Sequence, residues 1–383
     1  MRLPQVLRLL PMDAIEPVAE LAALLQGSHR ALSVAPAIEQ PATRLPTFRH
    51  GPEPQALRGF NLRWPEIHLT VLSDAAVLGR GEVLDRDGRL LVTSIVDRAE
   101  DFTAAPQDHP GVLSQHGLSL VPEGLRRRDR DPGKPALHLR DPVFHLINAR
   151  DHNYTHFMFE LLPKLAFYFA LPAPRPKVLV SQAVHATFSR FLLALGVPEG
   201  DLVSVPPKGW IRVDRIFVAQ SPSWLHRPVM TALRQAADVG RAPARPVAGN
   251  RLYIRRIGIK AWFRNLLNEQ EVFEQLAARG FRAVTPDQLS ATEQLEVFRS
   301  AEAVAGIYGG GLLNCVFSPP GTRVLSLTST AYWRIGMDTA APVLDLRAAQ
   351  VVGDCFLARQ DTNNSAFLID IPALNGACDA LGL

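Results

Sequence analysis

Residues 251–327 read RLYIRRIGIKAWFRNLLNEQEVFEQLAARGFRAVTPDQLSATEQLEVFRSAEAVAGIYGGGLLNCVFSPPGTRVLSL, an alternation of short apolar runs and helical spacings. Leu252-Tyr253-Ile254 is an apolar run between Arg251 and the pair Arg255-Arg256. It is short enough for a buried strand that leaves its guanidinium groups at the ends. Glu269 to Arg279 predicts an amphipathic helix and Phe281 to Thr285 a second strand. Ser290, with Glu293 three residues later, has the form of a capping box ahead of a helix through Leu295 to Ala301. Ala303 to Tyr308 is another buried strand. It runs into Gly309-Gly310-Gly311, where missing side chains let backbone N–H groups approach an anion at the start of the next helix, Leu312 to Phe317. Strands alternating with helices at this spacing imply right-handed crossovers and a parallel sheet. A glycine cluster alone is more often a plain turn. This one falls beyond the carboxyl end of a strand, where ligands of open parallel sheets sit, so the order describes half of a nucleotide-binding domain.

Upstream the pattern is also α/β. Val71 to Val83 and Leu90 to Val96 flank Asp85-Arg86-Asp87-Gly88 and predict a β-hairpin. Val143 to Asn148 predicts a buried strand, Thr155 to Ala170 a long helix despite Pro163, and Lys177 to Ser181 a strand. Val184 to Leu195 predicts a helix ending at Gly196, and Leu202 to Val205 and Arg212 to Ala219 two more strands. Pro36 to Gly59 reads as a linker or irregular arm, and the boundary between halves falls within Pro222 to Pro246. Three divisions follow: residues 1–60 as an N-terminal helix and arm, 61–225 as an acceptor-side α/β domain with the hairpin, and 226–383 as a donor-binding Rossmann-like domain.

At this point the residues carry a resemblance. The stretch Arg251 to Leu327 resembles the donor-side core of the family 61 glycosyltransferases, a group that includes capsular polysaccharide biosynthesis proteins. HNYTHFMFELLPKL, beginning at His152, is similar to that family's other signature: an Asn, a His beside an aromatic residue, an acidic residue, then Leu-Pro. The resemblance implies a GT-B-like fold, two Rossmann-like domains facing a cleft, here with a β-rich N-terminal addition. It also implies inverting transfer from a nucleotide sugar, a UDP-sugar first, to a hydroxyl of a polysaccharide, glycan or lipid-linked glycan acceptor. It implies no obligatory cofactor and no absolute need for a metal, and no metal-ligating residue is singled out. Two departures stand out: Tyr308 where many relatives have His, and Arg255 where a small hydroxyl residue is common.

Composition sets the outer bounds. The 383 residues suffice for two domains with their own cores, and 47% hydrophobic with 20% charged residues describes a soluble globular protein. A net charge of +4 is small, and no basic stripe with interleaved aromatics occurs, so nucleic acid is not expected as a partner. Only five of the 41 basic residues are lysine, which discounts arginine clusters; Arg126-Arg127-Arg128, close to Asp129 and Asp131, reads as a solvated loop. Cys315, Cys355 and Cys378 lack the paired spacing of a zinc site and fit a reducing cytoplasm. Met1 to Leu25 reads as an amphipathic helix that Asp13, Glu16 and Glu20 interrupt before ~18 apolar residues accumulate. Docking on the fold is preferred, since a basic polar face is missing, with peripheral contact at the inner face of the cell membrane as the alternative.

Sugar transfer needs a seat for the nucleotide diphosphate, stabilisation of that leaving group, and a base for the acceptor's proton. For the diphosphate we select the backbone of Gly309, Gly310, Gly311 and Leu312 with Arg256, then Arg255, because a guanidinium fork binds phosphate oxygens in pairs. Arg264 and Asn268 follow in the family-like stretch and complete the pocket. Asn314 either holds the loop or touches ligand, and for each arginine a surface ion pair is the plain alternative. Glu269 is a first-turn helix acid within reach of the ribose. All eleven histidines precede Arg227, so a histidine base must come from the first half. His156 and Glu160, four apart, share one helix face. Glu160 is slightly preferred as the base because a carboxylate can take the proton while also binding the acceptor. The alternative makes both buried structural residues linked to Asn153. Asn153 and His152 are acceptor-side or structural candidates, and His145 is a weaker base. A second function class stays open: a non-catalytic nucleotide-sugar binding subunit of a polysaccharide assembly, which Tyr308 would fit.

Overall fold

The computed structural model describes residues 3–41, 45–49, 61–96, 99–128, 133–207, 209–221, 226–256, 264–330, 336–355 and 366–383. The architecture is mixed α/β and divides into two compact units, Met1–Glu39 with Arg63–Ala236, and Gln40–Leu62 with Ala237–Leu383. Of the expected arm, residues 42–44 and 50–59 lie outside the described residues, as do Asp129, Asp131 and 222–225 of the expected boundary.

In the first unit β1 (Ile67–Leu78), β2 (Val143–Leu146), β3 (Lys177–Ser181), β4 (Leu202–Val205) and β5 (Trp210–Ala219) share one mixed sheet in the order β4-β3-β2-β5-β1. β2, β3 and β4 run parallel, β2 also pairs parallel with β5, and β5 meets β1 antiparallel from Trp210↔Leu78 to Ala219↔Leu69. Leu72, Val77, Val143, Leu179, Ile211 and Val218 are buried in its core. All four residues of β2 are buried, as expected of a strand covered on both faces.

The second unit is built on β6 (Arg251–Ile254), β7 (Phe281–Val284), β8 (Ala303–Ile307), β9 (Arg323–Ser329) and β10 (Arg347–Cys355), all parallel, in the order β7-β6-β8-β9-β10. Helices α1 (Glu269–Ala277) and α2 (Ala291–Arg299) form the crossovers β6–β7 and β7–β8, and α3 (Ile371–Leu381) packs on the core of this unit. The capping box is present: the Glu293 amide donates to Ser290 Oγ at 3.2 Å, and the Ser290 amide donates to the Glu293 carboxylate at 2.8 Å. Thr47–Phe48, from the expected arm, adds a parallel strand on β10, with Phe48 against the core.

Three expectations are corrected. Of the expected helix Met1 to Leu25, the described residues 3–25 do not form one helix. Val6–Leu7, Leu9–Leu10 and Glu16–Val18 are short strands, and only Leu21–Leu24 is α-helical. Pro4, Pro11 and Pro17 remove donors from a helical ladder, and the side chains of Leu7 and Leu10 enter the sheet core instead. The second concerns the arginine run: Gly124–Arg127 is a strand paired with Leu118–Val121, and Arg127 is buried, donating to the Pro4 carbonyl at 3.4 Å. Third, Thr155 to Ala170 is not one helix. It runs as an α-turn (Tyr154–His156), a π-helical turn (Phe157–Leu161), a 3-10 turn (Leu162–Lys164) and a short α-helix (Leu165–Ala170). Pro163 has no N–H to give the carbonyl of Phe159, so the ladder changes spacing there. The hairpin forms at Asp85–Gly88, where Gly88 has φ 78° and Leu84 pairs Leu90. Its strands are short, however, and Val92–Ser94 turns away as a 3-10 helix.

Candidate active site

At the carboxyl end of β2 the chain leaves the sheet through Asn148, Arg150 and Asp151 and enters the turn Tyr154–His156. Asn153 caps this turn, its side-chain oxygen accepting from the Thr155 amide at 2.9 Å. The turn and the π-helical segment after it place His156 and Glu160 together, with His156 Nδ1 2.7 Å from Glu160 Oε1. Arg150 Nη2 donates to the same oxygen at 3.3 Å, and Asn148 Nδ2 donates to Oε2 at 2.6 Å. Glu160 is only 8% exposed. Burial alone would raise its carboxyl. The hydrogen bond and charge of His156, the Arg150 guanidinium and the Asn148 amide together outweigh burial and hold it below its ordinary value.

This geometry distributes the roles. A carboxylate bound by three donors, with its pKa lowered, is a poor proton acceptor but a good orienting group. In its neutral form His156 turns Nδ1–H toward Glu160 and keeps Nε2 as the proton acceptor, and once protonated its charge is held by that carboxylate. Ser221 Oγ donates to the Glu160 backbone carbonyl at 3.3 Å. Asn148, Arg150, Glu160, Lys164 and Ser221 line a pocket of about 110 Å³. Its apolar wall includes Ile95, Val112 and Ile147. His145 lies fully buried in β2, where burial and then the Lys164 charge pull it down to about 3, so its ring is neutral. His152 is exposed beside Asp151, whose carboxyl burial pushes up.

In the second unit the strand order β7-β6-β8-β9-β10 reverses between β6 and β8, the topological switch point at which open α/β sheets hold ligands. Arg255 and Arg256 leave the carboxyl end of β6, and the Gly309-Gly310-Gly311 turn leaves that of β8. Arg264 comes to the same turn. Its Nη1 donates to the Tyr308 carbonyl at 2.8 Å, and a side chain at Gly309 would meet that nitrogen at 3.2 Å. Arg264 holds a left-handed backbone, φ 54°, which costs of order 1–3 kcal/mol in a residue other than glycine. Gly309 thus gives room for a guanidinium on the turn.

The other candidates divide. Arg255 lies over the Phe273 ring, 5.7 Å from its centre, with Nε 3.7 Å from Glu269 Oε1. Glu269 also accepts from the Tyr253 hydroxyl at 3.2 Å. Asn268 clamps the chain before α3, donating to the Ile369 carbonyl at 2.8 Å and accepting from its amide at 3.1 Å, so its side chain serves the fold. Leu312 is buried, and Asn314, 1% exposed, donates to Gln294 Oε1 at 3.3 Å, which holds the loop to α2. Asn148, Arg150 and Lys164 escaped the sequence reading. Polar residues at the carboxyl end of the parallel strand β2 were the available signal for the first two.

No helix among the described residues is long and apolar enough to cross a membrane. Among the same residues, no three His, Cys, Asp or Glu side chains gather as a metal ion would need. Comparison with curated proteins gave no match. The family model described as Glycosyltransferase 61 matches residues 154–325, from the turn bearing His156 and Glu160 through the glycine turn to β9. With both halves of the candidate chemistry inside the matched segment, the chain carries a glycosyltransferase 61 domain and is a glycosyltransferase.

Proposed function

We propose that the protein is an inverting glycosyltransferase of GT-B type that moves a sugar from a nucleotide sugar, a UDP-sugar first, to a hydroxyl of a glycan or lipid-linked glycan in polysaccharide assembly. The cytoplasm, where nucleotide sugars are made, is its proposed location. The observation that carries this reading is the 2.7 Å contact of His156 Nδ1 with Glu160 Oε1 beside a polar pocket. In the proposed step His156 Nε2 takes the proton of the acceptor hydroxyl while its oxygen attacks the anomeric carbon. The bond from that carbon to the diphosphate oxygen breaks, and its electron pair leaves with the nucleotide. Attack opposite the leaving group inverts the anomeric centre. Arg256, Arg264 and the backbone of Gly309 to Gly311 meet the charge developing on the diphosphate, with Arg255 as a further contact. The first unit supplies the acceptor chemistry and the second the nucleotide sugar.

A panel of nucleotide sugars, with release of the nucleoside diphosphate as readout, tests the reading. One donor class should be turned over by the wild-type protein. His156→Ala should still bind that donor and lose turnover, and Arg256→Ala should lose binding. Normal turnover in both variants would remove the site assignment, and donor binding without turnover under any acceptor would favour a non-catalytic binding subunit.

A further inference from the structure

The pocket beside Glu160 has more donors than its own residues use. Ser94 Oγ is occupied, donating to the Leu91 carbonyl at 2.6 Å and accepting from the Val83 amide at 3.1 Å. His116 Nδ1 is held 2.7 Å from Glu82 Oε1. Both Glu160 oxygens are bound by His156, Arg150 and Asn148. Besides Arg150 Nε, which is buried without a hydrogen-bond partner among the described residues, two groups on the wall are left over. Thr93 is 2% exposed, and its hydroxyl has no hydrogen-bond partner among the described residues. Lys164 is also 2% exposed, and among the described residues its ammonium has neither a hydrogen bond nor an ion pair. Only the field of Glu160 acts to keep it charged.

An ammonium is donor-only, and a hydroxyl donates readily, so what these two groups lack is an acceptor. A buried charge is costly unless paired, and Glu160 has its neutralising partners already. A neutral sugar in the pocket would leave the Lys164 charge uncompensated. An anionic group would complete it, with the half-exposed Arg150 guanidinium on the same wall. The apolar residues Ile95, Val112 and Ile147 would face the carbon skeleton of a sugar.

We propose that this pocket is a subsite for an oxyanion, a carboxylate or a phosphate, carried by the acceptor, with Lys164 and Thr93 as its specificity residues. The acceptor is therefore an acidic sugar. This rests on the acceptor-side reading above and deepens it. Burial already pulls Lys164 down to about 8, the direction expected of a cation without a close counter-ion.

The test is a titration of the full-length protein, at matched ionic strength, with glucose, glucuronic acid and glucose 6-phosphate, followed by calorimetry or line broadening of the sugar signals. The wild-type protein should bind one of the acidic sugars at least tenfold more tightly than glucose, and which of the two wins distinguishes carboxylate from phosphate. Lys164→Met should bring that sugar to the level of glucose. Thr93→Val, which keeps the shape of the side chain, should weaken it severalfold, and Lys164→Arg should restore part of the preference. His156→Ala should keep the acidic-sugar preference while losing transfer, so failure of the catalytic reading and failure of the subsite give different results. Equal or absent binding of the three sugars to the wild-type protein, or an undiminished preference in folded Lys164→Met, would overturn the proposal.

Discussion

Replacing Lys164 by methionine should make the protein more stable at neutral pH. Burial lowers the Lys164 pKa from 10.5 to about 8, against the attraction of Glu160. The other charged or titratable groups around it are the neutral His145 behind it and Arg150 and His116 on the pocket wall. A base whose pKa is lower in the folded state holds its proton more weakly there, so the unfolded chain binds more protons wherever the two states differ. Stability then rises with pH through that window. Below about pH 8 both states are protonated and the penalty is complete; between about 8 and 10.5 it shrinks; above 10.5 it is gone. The interval from 10.5 to about 8, at roughly 1.4 kcal/mol per pH unit, comes to about 3 kcal/mol. Methionine fills a similar volume without the charge and removes this cost. Urea unfolding of both proteins at about pH 7, 8.5, 9.5 and 10.5 measures it. The variant should be more stable by up to about 3 kcal/mol at neutral pH, roughly 6–12 °C in thermal midpoint for a domain of this size. The gap should close as the pH approaches 10.5. A less stable variant at neutral pH, or a gap that does not change with pH, would refute the reasoning.

Other perturbations give distinct outcomes. His156→Ala should lower kcat by about 10²–10⁴ with donor KM nearly unchanged, since it removes a base and no donor contact; steady-state kinetics decide it. Glu160 is held below its ordinary value of 4.5, so its network stabilises the fold above that pH and loses this as the pH falls through the lower folded pKa. Glu160→Gln should therefore flatten the acid limb of an unfolding series, and an unchanged limb would count against the network. At Arg264, with φ 54°, Gly should be more stable than Ala by about 1 kcal/mol by denaturant unfolding, while both substitutions weaken nucleotide binding. Ser290→Ala should cost about 1 kcal/mol through the lost cap, with nucleotide binding intact in a thermal-shift titration.

Local chemistry made the second unit legible. Ser290 and Glu293 announce the start of α2, the run Ala303–Ile307 can only be a buried strand, and Gly309 to Gly311 mark its exit. The cross-sheet order that puts Arg256 and the glycine turn at the same switch point follows from short right-handed crossovers. Distant partners were harder to see. Asn148 and Arg150 act on Glu160 across a turn that periodicity does not describe, and Thr93 reaches the pocket only because Val92–Ser94 leaves the hairpin as a 3-10 turn. The preference for Glu160 as the base rested on its type alone, whereas the three donors that saturate it are a tertiary fact. At the N-terminus an apolar helical pattern competed with Pro4, Pro11 and Pro17, and pairing with strands distant in sequence decided the outcome.

The most direct measurement of the central claim is nucleoside diphosphate release from the turned-over donor by wild-type protein and by His156→Ala, with donor affinity measured on the same samples. The account predicts turnover by the wild-type protein and a loss of at least ~100-fold in the variant at equal donor affinity. Equal rates in the two proteins, or no release from any nucleotide sugar by the wild-type protein, would contradict it.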